Sequence, residues 1–339
     1  MSVISKKITE RWQQAGNQNL YYQVIACLQS DGVLSRIPNL NQYEGRWDLR
    51  GLNLANLGQT RIPIHLQMPD GLKLDFVYGK RLRFSNVAWQ DIDFSYANLD
   101  SAIIENCILK NVLFNDVVGQ GINDRGSTFQ DCSFFKADWR GATLGLDGAR
   151  YESVKFQRSD LRNIHCYRGY FVDCDFSDAK LENIDFKVSH FSNCKFKGKL
   201  KKIWFRGYYS LKSEEKRYGV TERNLMQNVN FAEAQFWDVM FTQKIDLSTV
   251  TPPQDGKHVM FPRWQYTLEA SRQEVEEQWN GSMKEEASRY LDTVFTGHDR
   301  TMNIVNLLFL EDILSGAFSD IQLQQEFVLA FTNLLLNHV

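Results

Sequence analysis

The chain has 339 residues, of which 43% are hydrophobic and 24% charged, and its formal net charge is −2. This composition excludes a long disordered chain, and a charge so near zero gives no overall attraction to nucleic acid or to anionic membranes. The N-terminus lacks the apolar core of a secretory signal, and the most apolar run, 304–310, is too short to span a membrane. We therefore expect a cytoplasmic protein with no membrane association.

Residues 1–40 are predicted to form a helical cap. Apolar side chains at Ile8, Trp12, Tyr21, Val24 and Leu28 have a spacing that fits one or two helices before residue 30. Helices at this point could cover the end of whatever structure follows.

A period of five dominates the next domain, residues 41–250. A large apolar residue recurs at every fifth position, and the residue two places before it is apolar or small. The large residues of the first block are Phe84, Trp89, Phe94, Leu99, Ile104, Leu109 and Phe114, then Phe129, Phe134, Trp139 and Leu144. Fragments at Leu49, Leu54 and Leu74 indicate that the repeat begins before residue 84. This period fits neither the 3.6 residues of an α-helix turn nor the two-residue alternation of a lone strand.

The repeat shifts phase by two residues near Gly145 to Gly148 and then continues. The second block runs through Tyr151, Phe156, Leu161, Cys166, Phe171, Phe176, Leu181, Phe186, Phe191 and Phe196, with a last set at Phe231, Phe236 and Phe241. The glycines near residue 145, and Gly119 with Gly121, are interpreted as breaks in the repeat, where turns need a permissive backbone.

The pattern closely resembles the pentapeptide-repeat family, whose unit is a small residue, Asp or Asn, Leu or Phe, and two polar residues. Ala97-Asn98-Leu99 fits this unit fully, and Cys174-Asp175-Phe176 fits with Cys as the small residue. The resemblance covers roughly residues 45–247. It implies a mainly β solenoid, a right-handed quadrilateral β-helix in which four repeats make one turn and residues about 20 apart stack.

That architecture predicts which side chains fill the interior. We expect one internal ladder of Phe156, Phe176 and Phe196 and another of Tyr151, Phe171 and Phe191, with Cys174 one coil below Cys194. Cysteines at inward positions act as compact apolar side chains. We therefore expect neither disulfides nor a metal site, and no cofactor.

The segment 197–223 is predicted to be a basic insertion that separates the last repeats from the long block. It holds nine Lys and Arg against three Glu, a net charge of +6, with aromatic residues interleaved. Such a loop could bind phosphates and stack on bases, could bind an acidic protein, or could simply pack on the solenoid. The candidate partner-binding residues are Lys197, Lys199, Lys201, Lys202, Trp204, Phe205, Arg206, Tyr208, Tyr209 and Lys212.

Three apolar residues, Ile103, Ile108 and Leu113, occupy positions that the repeat directs outward on successive sides of one coil. Contiguous exposed apolar surface usually marks a contact. We expect another part of the chain, with 117–126 as the candidate, to cover them.

Residues 251–339 are predicted to be a four-helix domain. The stretch Pro252 to Gly256 ends the β pattern, and Gly281, Gly297 and Gly316 divide the remainder into four helical segments. The last segment has a wide apolar stripe. The domain could close the end of the solenoid, or it could pair two chains as a homodimer through their terminal helices.

The sequence contains no phosphate-binding glycine loop, nucleophile elbow or His-Glu-x-x-His motif, so no catalytic residue is predicted and we do not expect an enzyme. We predict a non-catalytic scaffold that binds another protein. The resemblance implies one alternative, a DNA mimic that binds and protects DNA gyrase or topoisomerase IV. A second alternative is nucleic-acid binding through 197–223. Residues 84–196 hold 16 acidic and 12 basic side chains, a net charge of only −4, which is weak support for DNA mimicry.

Overall fold

The computed structural model describes residues 3–55, 62–67, 73–78, 82–219, 222–224, 226–293 and 302–339. They fall into two compact units. The N-terminal unit comprises Met1–Ile184 with Ser192–Lys195, and the C-terminal unit comprises Asp185–Phe191 with Phe196–Val339. The structure is mainly a β-solenoid with helices near both termini, which confirms the predicted fold class. Among the helices in these ranges, none combines the length and apolar character of a membrane span.

Helices cover the first coil of the N-terminal unit. They are α1 (Val3–Glu10) and α2 (Gln18–Ser30), with short 3₁₀ helices at Arg11–Gln13, Ala15–Asn17 and Leu34–Arg36. Helix α2 buries Val24 to Leu28 completely, and the carbonyl of Leu28 accepts a hydrogen bond from the Trp89 indole at 3.2 Å. The chain then passes so close to the coil that a Cβ on Gly32 would lie 2.1 Å from the carbonyl oxygen of Ala88. Only glycine fits there.

The coil begins well before residue 84, as predicted. Strands β1 (Gln42–Tyr43) and β2 (Arg46–Asp48) form a small sheet with β7 (Ile92–Asp93), and Leu49 and Leu54 are buried. The prediction for Leu74 is wrong, because the chain leaves the coil to form an antiparallel hairpin. Its strands are β3 (Ile62–Gln67) and β4 (Lys73–Tyr78).

Parallel strands stack coil on coil through the rest of the N-terminal unit. One sheet has the order β5 (Arg83–Ser85), β8 (Ile103–Glu105), β10 (Asn123–Arg125), β12 (Thr143–Leu146) and β14 (His165–Tyr167). The second has the order β6 (Ala88–Gln90), β9 (Ile108–Lys110), β11 (Thr128–Gln130), β13 (Arg150–Glu152) and β15 (Tyr170–Val172). Strands β16 (Leu181–Lys187) and β17 (His190–Ser192) lie where the two units divide.

The pairing register gives the coil four sides. Ile108 pairs with Thr128, 20 residues on, and the two remaining sides are columns of single bridges such as Asp93–Leu113–Ser133 and Asn98–Val118–Asp138. Thr128 pairs with Arg150, a step of 22, so the predicted two-residue phase shift is confirmed. At the shift Gly145 has φ +76°, and a Cβ there would lie 2.5 Å from the Cα of Gly169.

The interior is filled by stacked side chains. Phe156 stacks on Phe176 with ring centroids 4.8 Å apart and planes 4° apart, and Tyr151 stacks on Phe171 at 4.9 Å and 8°. Cys174 and Cys194 are buried, and each thiol points at a backbone carbonyl 23 residues earlier. The remaining ladder members, Phe191 and Phe196, lie in the C-terminal unit. There Phe196 stacks on Phe231 at 4.9 Å.

The predicted break at Gly119 and Gly121 does not exist. Gly119 occupies the large inward position, and its N–H donates to the carbonyl of Asp138 at 2.8 Å. A Cβ on Gly119 would lie 2.9 Å from the Ile122 side chain and 3.6 Å from the Trp139 ring, so the missing side chain makes room for Ile122. The next inward position is Asp124, which is completely buried. The repeat therefore continues with two unusual residues.

The segment 117–126 does not provide the expected cover for the outward apolar residues. Val117 and Ile122, which belong to the proposed cover, are themselves in the coil interior, and Ile108 is 58% exposed. Residues 117–126 form part of the coil wall themselves, so they cannot also lie over the outer surface of another side of the coil.

The C-terminal unit combines further coil strands with a helical layer. Its elements are β18 (Lys195–Arg206), α3 (Lys212–Tyr218), β19 (Asn230–Thr242), β20 (His258–Phe261), α4 (Trp264–Gln278), α5 (Gly281–Thr293), β21 (Asn303–Asn306), α6 (Leu307–Leu314) and α7 (Ile321–Leu336). The core of the helical layer includes Trp264, Leu291, Phe327 and Phe331. Within the described residues of 251–339 there are four helices, α4 to α7, but the antiparallel pair β20–β21 was not predicted. Gly297 lies outside the described residues.

The β20–β21 pair closes the exposed end of β19. The His258 ring accepts a hydrogen bond from the N–H of Phe236 at 3.2 Å, and the Asn306 amide donates to the carbonyl of Phe236. Side chains thus satisfy backbone groups that another coil would otherwise pair.

Candidate interaction surface

The first part of the predicted basic insertion is a strand rather than a loop. Residues up to Arg206 belong to β18, which pairs with β19 in the same sheet. Leu200, Ile203 and Phe205 point into the coil and are completely buried. The repeat was missed here because its spacing becomes irregular: Phe205 stacks on Phe186, 19 residues earlier, with centroids 5.2 Å apart.

The lysines of β18 lie on the outer side of the strand. Lys199 and Lys202 are exposed, whereas Lys197 and Lys201 are half-buried. The Nζ of Lys197 forms an ion pair with Glu233 at 2.7 Å. The alternation of buried apolar and outward basic residues gives the strand one basic face.

The aromatic residues of the predicted site are not displayed for base stacking. Phe205 is in the core, and Tyr209 is 8% exposed. Trp204 is half-buried, and its indole N–H lies 3.2 Å from the Sδ of Met240. The Tyr208 hydroxyl donates to Glu215 at 3.1 Å. Phe205 therefore cannot contact a partner, and the predicted combination of basic and stacking side chains is not formed.

The remaining basic residues divide between an internal pair and an exposed helix. Arg206 donates to both oxygens of Asp185, at 2.7 and 2.8 Å. Lys212 is exposed on α3, together with Lys216 and Arg217. The glutamates of that helix face inward, since Glu214 pairs with Lys187 at 3.1 Å.

The C-terminal unit also contains a cleft. It has a volume of about 70 Å³ and lies between the end of β19 and the β21–α6 segment. Apolar side chains make most of its lining, with Asp238 as the charged exception. The principal lining residues are Phe236, Val239, Met240, Ile304, Phe309 and Ile313. The sequence contained one indication of it, because Trp237 and Met240 are apolar at repeat positions that are normally polar.

Carboxylates on two outer columns of the N-terminal unit are neutralised by arginines. Glu105 lies 2.5 Å from Arg83 and 3.9 Å from Arg125, and Arg125 also lies 3.1 Å from Asp147. In the other column Asp138 and Asp160 each bind the arginine two residues later, at 2.7 Å. The Arg140 hydrogen bond lowers the pKa of Asp138. These columns do not present the row of uncompensated negative charge that characterises a DNA backbone.

The buried titratable groups do not form a catalytic arrangement among the described residues. All six cysteines are buried thiols outside any disulfide, and burial raises the pKa of Cys132 to about 12, which leaves that thiol unreactive. No group of three His, Cys, Asp or Glu in the described ranges is arranged to hold a metal ion. Burial raises the pKa of Asp124 to about 7, although Tyr151 donates a hydrogen bond to it at 2.5 Å.

The comparison with sequence families agrees with the coil geometry. The family described as Pentapeptide repeats (8 copies) matches residues 170–198. Pentapeptide repeats are therefore present in the chain, in agreement with the family that its sequence resembles. A comparison with curated proteins returned no match.

Solved pentapeptide-repeat structures resemble this protein at low identity. HetL, involved in heterocyst differentiation regulation in the cyanobacterium Nostoc sp. strain PCC 7120, is 13% identical, with a TM-score of 0.26 and 51% of this chain and 84% of HetL covered. Full-length QnrB1, a plasmid-mediated fluoroquinolone resistance protein, is 12% identical, with a TM-score of 0.22 and coverage of 47% and 84%. Rfr23 from the cyanobacterium Cyanothece 51142 is 17% identical, with a TM-score of 0.15 and coverage of 43% and 86%.

Proposed function

We propose that this pentapeptide-repeat protein is a non-catalytic scaffold that binds an acidic protein through the outer face of β18. The observation that carries the proposal is the exposure of Lys199 and Lys202 on a strand whose other side is anchored in the coil. A rigid strand presents charges at fixed spacing and loses little entropy on binding. Complementary charge of this kind sets specificity and association rate.

The closed interior of the coil supports a role in contact rather than catalysis. Its central positions in the N-terminal unit are occupied by stacked rings such as Phe134, Phe156 and Phe176, all buried. The two sheets and two bridge columns leave only outward side chains available to a partner. Ligand sites in proteins are concave, and such a packed tube offers no concavity.

The charge pattern favours an acidic protein over the two alternatives. Arginines neutralise Glu105, Asp138 and Asp160, which does not support a DNA mimic directed at a type II topoisomerase. The burial of Phe205 does not support single-stranded nucleic acid, whose binding depends on exposed aromatic rings. The capture experiment described next would detect either alternative, as a recovered type II topoisomerase or as recovered nucleic acid.

The test is affinity capture with the tagged full-length chain from an extract of its native host. The double variant Lys199→Glu/Lys202→Glu is compared with a charge-matched control, Lys110→Glu/Lys155→Glu, whose lysines are exposed on the N-terminal unit. We expect the wild type and the control to retain the same acidic protein and the β18 variant to lose it. Equal retention by all three proteins, or recovery of a type II topoisomerase or of nucleic acid, would contradict the proposal.

A further inference from the structure

The cleft and the lysines of β18 belong to one surface of the C-terminal unit. The Nζ of Lys199 lies 5.5 Å from the centre of the Trp237 ring, and that ring lies 5.6 Å from Phe309, which lines the cleft. Further along β18, Trp204 contacts Met240, another lining residue. The basic strand β18 therefore lies directly beside the apolar cleft.

The volume of the cleft limits what can enter it. Sites for drug-sized ligands measure roughly 300–1,000 Å³, several times the volume of about 70 Å³ found here. A single apolar side chain is of the right size. Hydrogen bonds hold the two walls of the cleft together. Asn306 accepts one from the N–H of Leu308 at the start of α6 and donates one to β19.

Resting on the proposed function, we propose that this surface binds an acidic protein segment that inserts one apolar side chain into the cleft. Carboxylates of the segment lie against Lys199 and Lys202, where opposite charge attracts them. Most of the lining is apolar, so the inserted side chain is uncharged. A central apolar anchor surrounded by charged contacts is a common arrangement of interface hot spots.

A nucleic acid fits this surface less well. Its phosphates would be attracted by the lysines, but its backbone has no aliphatic side chain to fill the cleft, and the rings that could stack on bases are buried or engaged. Tyr209 is buried, and Trp204 is held by Met240. The protein segment satisfies both parts of the surface at once.

The first experiment selects the ligand without assuming its sequence. Short random peptides displayed on phage are panned against the full-length wild-type chain, with Val239→Phe as a counter-selection variant that fills the cleft. We expect enriched peptides to contain several Asp or Glu around one Phe, Leu, Met or Trp. The absence of enrichment, or enrichment of peptides without the apolar residue, overturns the inference.

The second experiment measures the consensus peptide, labelled with a fluorophore, by anisotropy. Replacement of its apolar residue by Ala, the Val239→Phe variant and the Lys199→Glu/Lys202→Glu variant are each expected to raise Kd at least about tenfold. Val172→Phe, a half-buried position on β15, is the matched control and should leave Kd unchanged. If the lysine variant weakens binding while both apolar changes have no effect, the inference fails and the proposed function stands.

A third measurement requires no substitution. The chain has seven methionines, and methyl-labelled wild-type protein gives one NMR resonance for the Met240 methyl group in the cleft. We expect the peptide to shift that resonance, whereas the alanine-substituted peptide does not. A Met240 signal that does not move at saturating peptide, or a duplex DNA that displaces the peptide and binds about tenfold more tightly, overturns the inference.

Discussion

Two carboxylates of the N-terminal unit are both buried, and yet their pKa values shift in opposite directions. Asp124 lies inside the coil and is completely buried, and Asp48 lies beneath the N-terminal helices and is 6% exposed. Burial raises the pKa of Asp124 to about 7. Burial also tends to raise the pKa of Asp48, but hydrogen bonds and charge attraction from Arg50 and Arg11 outweigh it and lower that pKa strongly.

The difference comes from the neighbours that each region provides. Inside the coil Asp124 accepts hydrogen bonds from neutral donors, namely the hydroxyls of Tyr151 and Ser127 and nearby backbone N–H groups, and its strand partner in the preceding coil is the apolar Ile104. At the cap, two guanidinium groups bind Asp48, with N–O distances of 2.6 Å to Arg11 and 2.8 Å to Arg50. Burial alone therefore does not set the charge of a carboxylate; the charge of its hydrogen-bond donor does.

The largest expected effect comes from removing the polar pair inside the coil. The double variant Asp124→Leu/Tyr151→Phe restores the residue types of the repeat and removes a titrating group. Because the folded pKa of Asp124 is raised, its contribution to stability is complete near pH 4 and is lost as the pH rises to about 7. The free energy of unfolding of the wild type, relative to the variant, should fall by roughly 2–4 kcal/mol over that range.

Urea denaturation at a series of pH values from about 4.5 to about 8 measures this difference in the free energy of unfolding between the wild type and the double variant. The single variant Tyr151→Phe isolates the contribution of the hydroxyl, because the ring at position 151 still stacks on Phe129 and on Phe171. A difference that stays flat or grows with pH would show that Asp124 is charged inside the coil.

The cap should respond to pH in the other direction. The folded pKa of Asp48 is lowered, so its contribution is complete above the ordinary Asp value and is lost as the pH falls below about 4. Asp48→Asn is expected to reduce stability at neutral pH by about 1–2 kcal/mol and to have less effect below pH 4, since Arg11 and Arg50 are partly solvated.

Hydrogen exchange of the α2 amides is the most direct measure of cap opening. Asp31→Asn is the matched control, because Asp31 also pairs with an arginine, Arg36, but is 43% exposed. That control should change stability by less than about 0.5 kcal/mol. Equal losses in both variants would mean that burial adds nothing to the Asp48 ion pairs.

The coil was predictable because its pattern repeats one physical rule. Large inward residues of the regular coils stack on equivalent residues one turn away, so Phe156 and Phe176 could be placed without any structure. The rule failed at Gly119 and Asp124, where a small and a polar residue stand in inward positions and resemble a break. It failed again over 197–206, because a one-residue shortening moved Phe205 out of phase.

The candidate surface was only partly predictable. The exposure of Lys199 and Lys202 follows from their charge, but the cleft is built from β19, β21 and α6, which are distant in sequence. The strand Asn303–Asn306 is short and adjoins an apolar helix, so its residues appeared to belong to that helix. Tertiary contacts of this kind carry no local pattern, and the domain boundaries and the partner-binding set accordingly stay predictions.

The smallest expected effect concerns the corners that all coils share. The residue two places after most inward residues has a left-handed backbone, and Asn or Asp often occupies it, as at Asn106, Asn163 and Asp173. Ser153 has the same conformation with φ +55° and an exposed side chain. Asn tolerates this region better than other non-glycine residues do. Ser153→Asn should therefore raise the free energy of unfolding by up to about 1 kcal/mol, measured by urea denaturation at one pH.

Gln130→Asn tests whether that gain comes from the corner conformation. Gln130 lies on β11, at a position outside the left-handed set, and Asn is unfavourable within strands. The control should leave stability unchanged or lower it slightly. Because the corner change alters neither the interior stacking nor any charge, its effect should be the same at every pH, unlike those at Asp124 and Asp48. A gain that varied with pH, or that appeared equally in Gln130→Asn, would attribute the stabilisation to something other than backbone strain.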